Sequence, residues 1–438
     1  MTDRGVQPHL HGKKKKLFEI MLAFVGTLAC IGLVYVYSDV RLYQKPSESP
    51  PIYIDDLQEE SQAGDGDIPQ TQDVEKGETS STASEPVVVQ ETRPQVSQPL
   101  NDMLGISLGE TLSIASESEV QQILDDISSL GVGWIRVDVA WNSIQPVSKD
   151  AFVWGPFDRI VREARKRGIA VLPILTYTPQ WARDESCRTT SKCPPANPED
   201  FAEFAHTAVL RYAPQGISVW EVWNEPNLRK FWASGADYAR YTELLRFVYQ
   251  AIHETDTNAL VLSGGLAPTG TGGGNITARE FLEGMYEFGA KSYFDAVAFH
   301  PYSYPLGPED IDTTNAWSHM TDTEWNLRAI MQDNGDGYKK IWITEYGAPT
   351  GGPGSIASNS THVPWSIPDH VTEEYQAKLL EQAVKAQRTH AWSGPLFWYS
   401  YQDLGTNEST VENFFGIIRY DGTQKPAYGI LKRLLAVQ

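Results

Sequence analysis

Residues 217–227 read ISVWEVWNEPN. The first seven form a short apolar run of strand length that ends in a polar cluster. Upstream, Phe201, Phe204, Ala205, Ala208, Val209 and Tyr212 keep the three–four spacing of one helix face, and 237–253 fits another helix downstream. A strand set between helices is the repeating unit of a parallel sheet. The unit recurs in both directions. Strands are expected at 104–108, 133–140, 170–176, 217–223, 260–265, 295–301, 341–345 and 395–401. Helical faces appear at Val120, Ile123, Leu124, Ile127 and Leu130, and at Phe157, Ile160, Val161 and Ala164. Further helices fit 279–290, 322–334, 372–388 and 427–436. Ser116-x-x-Glu119, Thr277-x-x-Glu280 and Thr321-x-x-Glu324 have the form of capping boxes, and Asn197-Pro198 that of a cap with proline at N1.

Eight strands alternating with eight helices predict an α/β fold, a (β/α)8 TIM barrel with long loops. The alternative, an open doubly wound sheet, would carry a glycine-rich phosphate loop after its first strand. The glycine-rich GTGGG at 270–274 follows the fifth strand instead and reads as a flexible loop.

The chain has 438 residues and a formal charge of −20. Four lysines, Lys13–Lys16, precede Leu17–Tyr37, an apolar run with one charge, Glu19. Such a run matches the hydrocarbon thickness of a bilayer, and the lysines should stay cytoplasmic. Residues 1–16 are therefore expected to be a basic cytoplasmic terminus and 17–37 a single transmembrane signal anchor. A cleaved signal peptide and a lipoprotein site at Cys30 are the rival readings. Residues 38–100 are rich in Ser, Gln, Pro, Asp and Glu, and 48–100 alone carry −10. This composition buries too little apolar surface to offset chain entropy, so it reads as a disordered acidic linker. The 101–438 domain would then face the periplasm or extracellular space. It carries −14, which disfavours nucleic acid as a partner. Cys187 and Cys193, six apart in a polar stretch, can close a small disulfide ring in an oxidising compartment or remain free thiols.

Active sites of such barrels gather at the C-terminal ends of the strands. Strand four ends in Asn224-Glu225 and strand seven in Thr344-Glu345. Two carboxylates facing each other across a barrel mouth are what glycoside hydrolysis requires, one to protonate the leaving oxygen and one to stabilise or trap the sugar cation. Strict alternation would send Asn224 and Glu225 to opposite faces, so one should lie past the strand end or at a bulge. In strand two, Arg136 and Asp138 share the inward face. Two partners are open to Arg136: an internal pair with Asp138, or Glu345, whose ionised form it would favour. His300 and Tyr302 share a face at the end of strand six and can reach the same mouth. Trp141, Trp181 and Trp398 fall at or after strand ends and are candidate sugar platforms; core packing is the other reading. The nine histidines show no metal-ligand spacing, and neither metal nor cofactor is expected.

WNEPN at 223–227 and ITEYG at 343–347 resemble the acid/base and nucleophile signatures of the clan A retaining glycoside hydrolases. WNSIQP at 141–146, HPY at 300–302, WYSYQD at 398–403 and DGTQKPAY at 421–428 are similar to family 39 and its bacterial exopolysaccharide-hydrolase relatives, although families 5 and 39 share much of the pattern. The resemblance implies a β-glycosidase acting on a polysaccharide or oligosaccharide by double displacement. Glu225 would be acid/base and Glu345 nucleophile, with Asn224 holding the 2-hydroxyl and Tyr302 bonded to Glu345. A catalytically silent carbohydrate-binding barrel and a transglycosylase are the alternatives.

Overall fold

The computed structural model describes residues 100–321, 325–360 and 369–436. The anchor expected at 17–37 and all but the last residue of the linker expected at 38–100 lie outside the described residues. Among the described residues, no helix is long and apolar enough to cross a membrane.

Eight parallel strands close into a barrel: β1 (Leu104–Gly109), β2 (Trp134–Ala140), β3 (Ala170–Thr176), β4 (Val219–Asn224), β5 (Leu260–Gly265), β6 (Ala296–Phe299), β7 (Lys340–Tyr346) and β8 (Ser393–Tyr399). Each strand pairs with its neighbours in sequence, and β8 returns to β1. The expected strands fall within a few residues of these. β6 is shorter than expected, which leaves His300 and Tyr302 in the loop beyond it.

The helices start where local chemistry satisfies their free amides. Ser116 and Glu119 form the expected capping box before Glu117–Leu130, and Thr277 Oγ1 accepts from Glu280 N at 3.2 Å before Ala278–Glu287. Pro198 opens Pro198–Tyr212. Of the expected Thr321-x-x-Glu324 box, Glu324 lies outside the described residues. Thr321 ends the short helix Ser318–Thr321, and Leu327–Asp333 is capped by Asn326, whose Oδ1 accepts from Ala329 N at 2.8 Å. Asn serves as well as Thr at that position, and its side chain sits one residue before the apolar face begins.

Two apolar cores shape the barrel, beside a small third cluster around Ala348, Val371 and Tyr375. The larger of the two lies between sheet and helices. The smaller fills the barrel itself, where Leu172, Val219, Leu262, Ala296, Ala298, Trp342 and Phe397 pack together with Trp134. Gly105 makes room for it, since a Cβ there would lie 2.4 Å from the Phe397 ring. This plug fills the barrel below its C-terminal mouth. Cys187 and Cys193 are joined by a disulfide in the loop after β3.

The mouth is braced from one side by Lys425. Its Nζ donates to Asp403 Oδ1 at 2.7 Å, Thr350 Oγ1 at 2.8 Å and Phe414 O at 3.2 Å, with Lys425 and Asp403 side chains only 1% and 6% exposed. The loops after β7 and β8 are thereby tied to the C-terminal DGTQKPAY segment. Breaking one partner of such a pair leaves a buried charge unmatched. Lys425→Met should cost about 3–5 kcal/mol in urea unfolding, and adding Asp403→Asn should recover part of that loss.

Candidate active site

The site is built on a layer of polar side chains immediately above the plug. Arg136 projects inward from β2 and is 1% exposed. Nε and Nη2 grip Glu221 on β4 at 2.6 and 3.0 Å, Nη1 donates to Glu345 Oε1 at 2.5 Å and to Ser107 Oγ on β1 at 3.2 Å, and Nη2 also reaches Asn224 Oδ1 at 3.1 Å. Burial opposes the guanidinium charge, but Glu221 and Glu345 hold it protonated all the more firmly. Of the two partners open to Arg136, Glu345 is taken and Asp138 is not; the second is Glu221. Glu221 escaped the sequence reading because it looks like an ordinary strand residue. Its inward parity with Val219 was the available signal, since a carboxylate inside a barrel needs a cation.

Both candidate carboxylates reach this layer because the strands carrying them break alternation. On β4, Trp223 and Glu225 have positive φ, 74° and 44°. Asn224 and Glu225 therefore both reach the mouth, with Glu225 just past the strand end as the alternation rule required. On β7, two residues of β8 (Leu396 to Trp398) span three of β7 (Ile343 to Tyr346). This bulge turns Thr344 and Glu345 inward together.

His300 lies between the carboxylates and is fully buried. Its Nδ1 is 2.9 Å from Glu225 Oε1 and 3.8 Å from Glu345 Oε2, and its Nε2 is 3.0 Å from Thr344 Oγ1. Thr344 donates its hydroxyl hydrogen to Glu221 Oε1 at 3.2 Å. It therefore accepts from His300, which places a hydrogen on Nε2. Nδ1 then meets Glu225 either as a lone pair facing a carboxylic acid or as N–H facing a carboxylate. In both cases one proton lies on the line between Nδ1 and Oε1. Gly265 permits the arrangement, since a Cβ there would be 2.1 Å from His300 Nε2.

Glu345 also accepts from Tyr302 Oη at 2.9 Å. Burial pushes the Glu345 carboxyl up, but the charges of His300 and Arg136 and the Tyr302 bond together hold it below its ordinary value. Burial and the neighbouring Glu345 push the Tyr302 hydroxyl well above its usual range, so it stays a donor. Asn224 Oδ1 is engaged by Arg136, and its amide nitrogen is left for a ligand. Among the described residues, one trio offers three metal-type donor atoms within 4.8 Å of one another: Glu225, His300 and Glu345. Each already has the protein partners just described.

Two of the three tryptophans, Trp141 and Trp398, are a correction. Trp141 is fully buried against Phe201, Phe204 and Trp181, and Trp398 is 1% exposed, edge-on to Tyr346. Neither offers a face to a sugar. Trp181 is partly buried in the same cluster, with Nε1 donating to Gln145 O at 2.9 Å. The parity of β8 explains the miss. Phe397 belongs to the plug, so Tyr399, not Trp398, shares its inward face. Tyr399 is partly exposed, stands 5.3 Å from the Phe415 ring and feels the charges of both Glu345 and Glu225. It is an aromatic of the mouth, with Tyr302.

The family model described as cellulase (glycosyl hydrolase family 5) matches residues 98–389. A family 39 glycoside hydrolase from the gut symbiont Bacteroides cellulosilyticus WH2 superposes with a TM-score of 0.59 at 23% identity, over 78% of this chain and 64% of its own. The present chain thus spans just under two thirds of that protein's length. A family 39 β-xylosidase from Caulobacter crescentus gives a TM-score of 0.55 at 19% identity, over 77% of this chain and 71% of its own. An exo-β-1,4-mannosidase from the Opitutaceae bacterium strain TAV5 gives 0.52 at 18%, over 76% and 59%. The chain belongs to glycosyl hydrolase family 5 and is a clan A glycoside hydrolase, on a barrel that resembles those of family 39.

Proposed function

We propose that this enzyme is a retaining β-glycosidase acting on an oligosaccharide or polysaccharide, with Glu345 as nucleophile and Glu225 as acid/base. The observation that carries the reading is the separation of the two carboxylates, whose facing oxygens lie within 4.8 Å. Retaining pairs stand roughly 5 Å apart, whereas inverting pairs leave several ångströms more for a water.

The surroundings suit the division of labour. Arg136 and Tyr302 fix Glu345 in its ionised, attacking form, while His300 keeps a proton on the axis to Glu225. In the first step a Glu345 oxygen bonds to the anomeric carbon as the bond to the departing oxygen breaks, and the Glu225 proton passes to that oxygen. In the second, water attacks the same carbon, gives its proton to Glu225 and releases Glu345. The Asn224 amide is placed to donate to the 2-hydroxyl, where hydrogen bonds strengthen in the transition state. The β-linkage rests on the resemblance of WNEPN and ITEYG to the clan signatures.

The enzyme is further proposed to work outside the cytoplasm, held by the 17–37 segment with residues 38–100 as tether. Supporting this are the lysine block before the apolar run and the Cys187–Cys193 disulfide, which belongs in an oxidising compartment.

Three measurements test the assignment. A dinitrophenyl 2-deoxy-2-fluoro-glycoside should inactivate the enzyme and add one glycosyl mass to the peptide carrying Glu345; turnover with no adduct there refutes the nucleophile. Glu225→Gln should lower kcat/KM about 100- to 10,000-fold on substrates with poor leaving groups, yet far less on activated aryl glycosides. Arg136→Met should move the acid limb of the kcat/KM profile to higher pH. The sign follows from Glu345: its folded value lies below the unfolded one, so both its activity and its contribution to stability are present above the unfolded value. They fade as pH falls through the folded value, and removing the cation raises that point.

A further inference from the structure

β2 carries one inward side chain above Arg136 that takes no part in the double displacement. Trp134 enters the plug, Arg136 the polar layer, and Asp138 the open mouth. Asp138 is partly buried, yet it makes no hydrogen bond or ion pair with any described residue, and its carboxyl oxygens remain open to solvent. The donors of Arg136 all go elsewhere. The ionisable groups around it come from six elements: Glu110 after β1, Arg136 on β2, Tyr177 after β3, Glu221 on β4, Glu345 on β7 and Tyr399 on β8.

A carboxyl at the mouth that takes no donor from the protein is free to accept hydrogen bonds from a ligand in place of water. The ligand of this cleft is a sugar, and its hydroxyls are donors. A sugar bearing a carboxylate would bring a further anion to a wall that already holds Glu110, Asp138 and Glu345. Burial and these acidic neighbours, against the pull of Arg136, push the Asp138 carboxyl up to about 7. Ionised, it accepts through both oxygens; protonated, it still accepts through one and donates through the other.

We propose that Asp138 is a specificity-determining residue of the subsite beside Glu345, accepting hydrogen bonds from the hydroxyls of a neutral sugar and turning away uronic acids. This rests on the glycosidase reading of Glu225 and Glu345 and adds the class of sugar that reading leaves open. Tyr177 and Tyr399 flank the same space and complete a wall that is aromatic and acidic.

The probes are dinitrophenyl β-glycosides of glucose, xylose, mannose and glucuronic acid, with singly deoxygenated forms of the neutral sugar that the wild type turns over fastest. The wild type should favour a neutral glycoside over the glucuronide by at least about tenfold in kcat/KM. Asp138→Asn and Asp138→Ala should lower kcat/KM on that glycoside about 10- to 100-fold. The loss should disappear on the one deoxy sugar that lacks the hydroxyl Asp138 holds, which a merely structural role would not produce. An equal loss on every deoxy form, no loss at all, or a wild type that prefers the glucuronide overturns the proposal. Labelling of Glu345 by the fluoro-glycoside separates the two levels. If Asp138→Asn is labelled while its specificity is unchanged, the specificity claim alone fails; if the wild type is never labelled, the catalytic reading fails. Should both variants fail to fold, the wild-type preference between neutral glycoside and glucuronide decides.

Discussion

A guanidinium sealed inside a barrel must be surrounded by acceptors, and this requirement at Arg136 organises the site. No water replaces the partners it loses, so Glu221, Glu345, Asn224 and Ser107 converge on it from three strands. Two of the four stand at the mouth and belong to the chemistry. The same desolvation that makes the cation expensive makes its field strong, and that field reaches Glu345 undiluted by solvent. Glu221 balances the remaining charge from below and, through Thr344, sets which nitrogen of His300 carries a hydrogen. Structure and reactivity therefore share one network. The acceptors that stabilise Arg136 are also the groups that hold the nucleophile ionised and the proton near its partner.

Bringing that network to the mouth requires departures from regular strand geometry. In an unbroken strand, Asn224 and Glu225 would face opposite ways, as would Thr344 and Glu345. The positive φ at Trp223 and Glu225 and the bulge on β7 turn both pairs inward. Left-handed backbone at a large side chain is costly, and such conformations cluster where surrounding structure enforces them for function. Here the burial of Trp223 against Phe201 and Trp232, with its Nε1 bonded to Phe231 O at 2.9 Å, holds the turn in place.

The barrel was legible because its signals are local. Apolar runs of strand length, three–four helical spacing and caps such as Ser116–Glu119 are read within a few residues. Glu225 and Glu345 were legible from their place at strand ends. What stayed hidden depends on contacts far apart in sequence. Glu221 acquires its meaning only from Arg136, eighty-five positions away. Trp398 invited a sugar-binding role by composition, and only its register against the plug shows that Tyr399 faces the cleft. Asp138 offered itself as a partner for Arg136 two residues away, but neighbours on one strand face stand side by side, and the guanidinium turns across the barrel to β4 and β7 instead.

Double displacement requires two acidic side chains close enough for one of them to form a bond to the sugar. The most direct test is the configuration of the first product. Proton NMR of a β-glycoside hydrolysed by the full chain should show the β-anomer appearing first, with the α-anomer growing in only by mutarotation. Initial release of the α-anomer would mean a single displacement by water, and the double displacement assigned to Glu345 and Glu225 would be wrong.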